Sequence, residues 1–272
     1  MPFYQAFPIY PGDVVSLVGA GGKTSAAVQI ARELVADGLR VLITTTTKML
    51  EPIPGAKEAI LLAEKLDLAT EQLPKLFDTH PLVFLAGTFA STENIGLGWL
   101  GPDYPLRLRP QKLVGVPAEW IKTLQQQSGA DVILVEADGA AHRMVKAPNT
   151  TEPVIPACTT LIIPMADMEA LGKPLTDEFA HRPALLADLA GLPIGAPISP
   201  ELIAIALAHP SGGLKGAPAD ARIVPLLTVH TPTLHSPGVD RAARALLLSP
   251  RVQRVVVAHL RSTPVPFEVF SR

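Results

Sequence analysis

Residues 19–25 read G-A-G-G-K-T-S, a combination of residue types suited to holding a polyphosphate. Glycines at Gly19, Gly21 and Gly22 let backbone N–H groups approach phosphate oxygens without a Cβ in the way. A helix start just beyond them adds partial positive charge. In such a loop Lys23 contacts the β- and γ-phosphates, the Thr24 hydroxyl ligates Mg²⁺, and Ser25 completes the phosphate-facing set. The common pattern G-x-x-x-x-G-K-[ST] asks for a glycine five residues before Gly22, and this chain has Leu17 there. The loop is therefore shortened or rearranged. The competing reading is a glycine-rich turn with an incidental lysine. Context favours the loop, because a buried-strand pattern over 14–18 precedes it. A helical pattern follows, with apolar residues at Val28, Ala31, Leu34 and Val35.

A phosphate loop needs a metal-binding partner, and D-V-I-L-V-E-A-D-G-A over 131–140 offers one. It is an apolar strand ending in acids, the place from which such enzymes bind Mg²⁺ directly or through water. Glu136 and Asp138 both qualify as metal ligands and, with Lys23, as the catalytic set. Two apart in an extended chain, they point the same way. A strand followed by an ordinary D-G turn is the alternative. T-T-T-T-K-M over 44–49 ends another strand, where ligands of open parallel sheets gather. Thr46, Thr47 and Lys48 are candidate phosphate or Mg²⁺ contacts, although threonine also simply favours strands. Residues 146–156 (K-A-P-N-T-T-E-P-V-I-P), 171–175 (L-G-K-P-L) and 181–183 (H-R-P) are either substrate-facing loops or solvated surface. The seven histidines show no metal-binding spacing. No Ser-His-Asp arrangement emerges, so a covalent hydrolase is not supported.

Alternating elements must position these groups. Apolar runs at 13–18, 40–46, 82–86, 131–136, 160–164, 223–228 and 253–258 read as strands covered on both faces. Helical patterns span 24–37, 63–77, 118–127, 177–190, 200–208 and 239–248. Strand alternating with helix implies right-handed crossovers and a mostly parallel sheet. The expected fold class is α/β, a P-loop NTPase-like three-layer sandwich. It is expected to form one nucleotide-binding domain over 1–272, with a small insertion or hairpin around 87–117.

Composition narrows the partners. The chain has 272 residues, 48% of them hydrophobic, with 23 Lys and Arg against 25 Asp and Glu. That near-balance does not suggest nucleic acid, which favours a basic face. One cysteine, Cys158, excludes an internal disulfide and fits a reducing compartment. The N-terminus has neither a basic start nor a long apolar stretch, and no run reaches a membrane span. A cytoplasmic location without membrane association is expected.

Together these segments resemble the YqeC family, described as selenium-dependent hydroxylase accessory or selenium cofactor biosynthesis proteins. The resemblance rests on V-V-S-L-V-G-A-G-G-K-T-S, V-L-I-T-T-T-T-K-M, V-I-L-V-E-A-D-G-A-A, K-A-P-N-T-T-E-P-V-I-P, and A-L-G-K-P-L followed by H-R-P. They stand in the family's order over roughly residues 14–183. The shortened glycine loop is itself typical of that family. The resemblance implies a nucleotide-binding fold and a role in maturing a selenium-requiring molybdenum hydroxylase. The implied partner is that client enzyme or its cofactor intermediate. It also adds weight to residues 44–48 and to Lys146 as site residues. Members often carry an N-K-x-D-like guanine-reading segment after a late strand. Here that stretch is L-L-T-V-H-T-P over 226–232, with Asn, Lys and Asp all missing, so ATP joins GTP as a candidate.

Three functions are compatible with these residues. One is a Mg²⁺-dependent NTPase acting as a maturation factor. Another is a small-molecule phosphotransferase with its acceptor near Asp138, His142 and Arg143. The third is a non-catalytic module that binds a phosphate-bearing cofactor.

Overall fold

The structure, a computed structural model, describes residues 1–90 and 111–272. The first half of the chain forms β1 (Val14–Gly19), α1 (Lys23–Ala36), β2 (Val41–Thr45), β3 (Lys48–Leu50), β4 (Glu58–Leu62), α2 (Leu66–Phe77), β5 (Leu82–Ala86), β6 (Thr88–Phe89), β7 (Lys112–Val114), α3 (Trp120–Gln127) and β8 (Val132–Glu136). The second half forms β9 (Val145–Lys146), β10 (Leu161–Asp167), β11 (Ala180–His181), α4 (Pro183–Ala190), α5 (Pro200–Ala208), β12 (Arg222–Ile223), β13 (Leu226–Thr228), α6 (Pro237–Leu247), β14 (Arg254–Ala258) and β15 (Phe267–Ser271).

Among the described residues the central sheet has the order β15-β14-β13-β10-β1-β8-β2-β5-β4, with β12 pairing β10 beside β13. Every pairing in it is parallel except β14 with β15. Alternate side chains enter opposite layers, as strand geometry dictates. Leu161, Ile163 and Met165 pack with Ile30 and Leu34 of α1 on one face. Ile162 and Ala166 face Leu202 of α5 and Leu246 of α6 on the other. Along the same sheet, Leu42, Val83 and Ile133 meet Leu73 of α2 and Leu124 of α3. The result is the expected α/β three-layer sandwich. Burial of a side chain such as Leu34, fully inaccessible, contributes about 1.5–3 kcal/mol.

Two expected elements differ in ways that bear on the site. The run at 160–164 continues as β10 to Asp167, straight through Pro164. Proline lacks the ladder N–H, and Pro164 falls where the neighbouring strand is interrupted. Partner β12 pairs with Leu161 and Ile162, and β13 resumes only at Met165. The single strand expected over 223–228 is accordingly split at Val224 and Pro225. The helix expected over 177–190 begins only at Pro183, a proline at the first helical turn, where its missing N–H costs nothing. Residues Ala180 and His181 instead pair with Val145 and Lys146.

Of the hairpin expected around 87–117, residues 91–110 lie outside the described residues. On its flanks β6 and β7 pair antiparallel, and β3 adds to β7, giving a small sheet of order β3-β7-β6. No helix among the described residues is long and apolar enough to cross a membrane.

Candidate functional site

The glycine loop joins β1 to α1 and lies against the end of β10. Gly19, Gly21 and Gly22 have φ of +91°, +86° and +94°, a region that L side chains rarely adopt. Packing imposes the same choice, since a Cβ on Gly19 would stand 2.4 Å from the Met165 carbonyl oxygen. One on Gly21 would stand 2.6 Å from the Asp167 nitrogen. Leu17, where a longer loop would have glycine, is a buried interior residue of β1. The strand simply runs on to Gly19, and this is the physical content of the shortened motif. Helix α1 starts at Lys23 with no side-chain cap and no acidic residue in its first turn. Its positive end therefore has no anionic side chain of its own to offset it.

Behind the loop lies a buried ion cluster. The Lys23 ammonium donates to the Gly19 carbonyl at 2.6 Å and sits 3.1 Å from Asp138 Oδ1. Asp138 Oδ2 accepts from the Gly19 N–H at 2.9 Å and pairs with Lys146 at 2.9 Å. Lys146 also donates to the Gly139 carbonyl and pairs with Glu152 at 3.1 Å, and Glu152 meets Arg182 at 3.0 Å. Lys23 is 6% exposed, Asp138 3% and Lys146 4%. Burial would raise the Glu152 carboxyl, but Lys146 and Arg182 outweigh it and hold the group below its ordinary pKa. Three cations share the two carboxylates Asp138 and Glu152 in this cluster, and Glu136 stands next to its Lys23 end.

Glu136, the last residue of β8, is as buried as its neighbours. Its Oε1 has no hydrogen-bond partner, and neither has Asp138 Oδ1, which faces the Lys23 ammonium. Burial pushes the Glu136 carboxyl above the ordinary pKa, against the pull of Lys23 and a hydrogen bond with Thr24. A buried carboxylate oxygen without a partner beside a threonine hydroxyl fits a hard cation that takes oxygen ligands. Mg²⁺ characteristically uses one or two protein oxygens and keeps waters and substrate phosphates for the rest. No group of three or more His, Cys, Asp or Glu able to cage a metal occurs among the described residues.

The threonines act mainly on backbone. Thr45 Oγ1 donates to the Glu136 carbonyl at 2.8 Å, and Thr46 Oγ1 donates to the Val154 carbonyl at 2.7 Å. Both tie the end of β2 to the chain around Glu136 and Glu152. Thr47 and Lys48 line a cleft of about 870 Å³ together with Gly21, Gly22, Lys23, Thr24, Ser25, Glu136 and Asp138. That volume lies within the range of small-molecule sites. Gly19, Thr46 and Lys146 support this lining from behind. Of the proposed acceptor neighbours, His142 and Arg143 also line the cleft. Ala141 and His142 hold φ of +46° and +58°, an uncommon conformation for consecutive non-glycine residues.

Several site residues had no individual role from the sequence. Glu152 and Arg182 lay inside loops recognised only as segments. Lys215 donates to the carbonyls of Asn149, Thr150 and Glu152 and so fastens the 149–152 turn. Asp167 escaped because its strand was ended at Pro164. It sits 2.8 Å from His230 Nε2, and burial raises its carboxyl pKa. An acid at the end of a central apolar strand was the available signal. His230 lies in the stretch lacking the guanine-reading residues and lines the cleft with Thr228.

A family model described as YqeC protein matches residues 15–184. The chain is also similar to an uncharacterized protein YqeC of Escherichia coli (strain K12). The two are 32% identical over 211 residues, which cover 78% of this chain and 73% of that protein. The matched family segment contains the glycine loop, Glu136 and all five members of the buried ion cluster. Lys215 and His230 lie beyond it.

Proposed function

The chain belongs to the YqeC family, and on that footing we propose that it binds a nucleoside triphosphate with Mg²⁺ and acts as an NTPase. One observation carries this reading. An uncapped helix start, the buried Lys23–Asp138–Lys146 ion cluster and the buried Glu136 carboxyl, one of whose oxygens lacks a partner, meet at Lys23 and Thr24. The loop amides and the N-terminus of α1 hold phosphate oxygens. Lys23 leaves Asp138 in part to meet the β- and γ-phosphates, and Asp138 keeps its ammonium within reach through Gly19 and Lys146. Thr24 and Glu136 would hold Mg²⁺, which neutralises charge developing between β- and γ-phosphates. Asp138, already shared by two ammoniums and an amide, positions Lys23 rather than ligating the metal.

The role follows from the family resemblance. Nucleotide-dependent ordering of the loops after β2, β8 and β10 would control contact with a client molybdenum hydroxylase or its cofactor intermediate. Calorimetric titration of Mg-ATP and Mg-GTP into wild type and Lys23→Ala tests the binding. Saturable binding that requires Mg²⁺ and is lost in Lys23→Ala is expected. Absence of binding, or equal binding by the variant, overturns the proposal. Labelled triphosphate separates hydrolysis, which releases inorganic phosphate, from transfer to an acceptor. For the maturation role, the activity of a selenium-dependent hydroxylase should fall when the gene for this chain is deleted and return with wild type but not Lys23→Ala.

A further inference from the structure

The cleft extends to both sides of the glycine loop. Strand order places β13 and β14 on one side of β1, and β8 and β2 on the other. Thr228, His230 and Arg261 line the first half; Lys48, Lys112 and Arg143 line the second. Glu136 and Thr24 mark which way a triphosphate would lie. Thr24 and Glu136 would hold a metal that neutralises charge at the terminal phosphates, and on that reading the terminal phosphate would face the β2–β8 half and the nucleoside would extend toward β13. The β2–β8 half then remains open in front of the terminal phosphate.

Its charge is one-sided. Of the carboxylates that reach the cleft, Asp138, Glu152 and Asp167 are taken by Lys23, Lys146, Arg182 and His230, and Glu136 lies beside Lys23 and Thr24 at the glycine loop. Lys48, Lys112 and Arg143 have no ion-pair partner among the described residues. Lys48 pairs with Val114 and Leu50 with Lys112 across β3 and β7, so both lysines stand on one face of the small sheet as diagonal neighbours. Met49 and Leu113 fill its other face and are buried. Like charges on a shared face destabilise a sheet, and this face keeps two. His142 reports the same field, since its pKa is lowered by desolvation first and then by Lys112, Arg143 and Lys23. The consecutive left-handed residues Ala141 and His142 carry Arg143 to this place.

We propose that the β2–β8 half of the cleft binds a second substrate, a small phosphate-bearing molecule held by Lys48, Lys112 and Arg143 in front of the triphosphate's terminal phosphate. Three cations without carboxylate partners among the described residues suit the charge and several acceptor oxygens of a phosphate group better than a single carboxylate. The placement opposite the terminal phosphate rests on the triphosphate reading; the anion site itself rests on the cations.

Orthophosphate serves as the probe. It is titrated into protein saturated with Mg²⁺ and the β,γ-imido analogue of ATP or GTP, whichever binds. Wild type should bind phosphate in a salt-sensitive manner. The Lys48→Ala/Lys112→Ala double variant should lose about tenfold or more in phosphate affinity, and Lys112→Ala alone should weaken phosphate while keeping analogue affinity within about threefold. The double variant's melting temperature should rise, because a like-charge pair has been removed. Lys48→Arg/Lys112→Arg should retain phosphate binding. Absence of phosphate binding by the analogue-loaded wild type, or equal affinity in the double alanine variant, overturns the subsite. If neither analogue binds wild type, the triphosphate reading fails separately. Phosphate is then titrated into the protein alone. Dependence on Lys48 and Lys112 upholds the subsite, and dependence on Lys23 only overturns it.

Discussion

Replacing Asp138 by Asn tests whether the buried ion cluster carries the charges assigned to it. Among the described residues Asp138 is the one carboxylate in ion-pair contact with both Lys23 and Lys146, at 3.1 and 2.9 Å, and the side chains involved are at most 6% exposed. Lys146 would retain Glu152, but Lys23 would lose its ion-pair partner and keep the Gly19 carbonyl and the nearby Glu136, whose carboxyl burial pushes above its ordinary pKa. Removing one partner of a buried pair typically costs about 3–5 kcal/mol, because the remaining charge stays desolvated. At about 2–4 °C per kcal/mol for a chain of this size class, the melting temperature should fall by roughly 6–20 °C. Glu71→Gln supplies the comparison. Its pair with Lys75 spans 2.9 Å, but both side chains are 69% exposed, so a loss of about 0.5 kcal/mol or less is expected. Differential scanning calorimetry of the two variants at neutral pH and moderate salt gives the answer. If Asp138→Asn melts within a degree or two of Glu71→Gln, the carboxylate does not hold two buried ammoniums, and the ion cluster proposed behind the phosphate loop is wrong.

Three other outcomes follow from the same geometry. Glu136→Gln removes a desolvated carboxylate and should stabilise the ligand-free protein by about 1 kcal/mol while abolishing Mg²⁺-dependent nucleotide binding; a drop in both stability and metal-independent binding would show a structural role instead. Glu152, whose folded pKa is depressed, adds stability that is fully present above the unfolded carboxyl value near 4.5 and is lost as pH falls through the lower folded value. Glu152→Gln should therefore flatten the acid limb of a stability–pH curve measured by urea unfolding, and an unchanged limb would remove Glu152 from the network. Gly19→Ala should cost about 3 kcal/mol or more, since strained φ adds to overlap with Met165. Gly38→Ala, with a φ of +89° but nothing within 4 Å, should cost only about 1–2 kcal/mol, and equal losses in the two variants would mean that loop packing on β10 is unimportant.

The sequence alone determined the features set by local order. The glycine loop followed by Lys23 and Thr24 is contiguous, and the apolar runs with helical patterns between them are periodic. Both survive without knowledge of what packs where. That is why β5, β8 and α5 were legible almost to the residue, and why Glu136 could be placed at a strand end. Only tertiary structure decided which long-range partners meet. Asp138 was legible as an acid two residues beyond Glu136. Its place between Lys23 and Lys146, the latter eight residues beyond it in sequence, was not, because the chain folds back through β9 beneath the glycine loop. Thr46 looked like a phosphate contact and is directed to Val154 across the gap between strands. Asp167 was hidden by Pro164, which β10 accommodates because Pro164 pairs with Val18 of β1 on one side and faces the gap between β12 and β13 on the other. Charge pairing, backbone satisfaction and strand interruption all depend on residues far apart in the chain, and a local pattern holds no record of them.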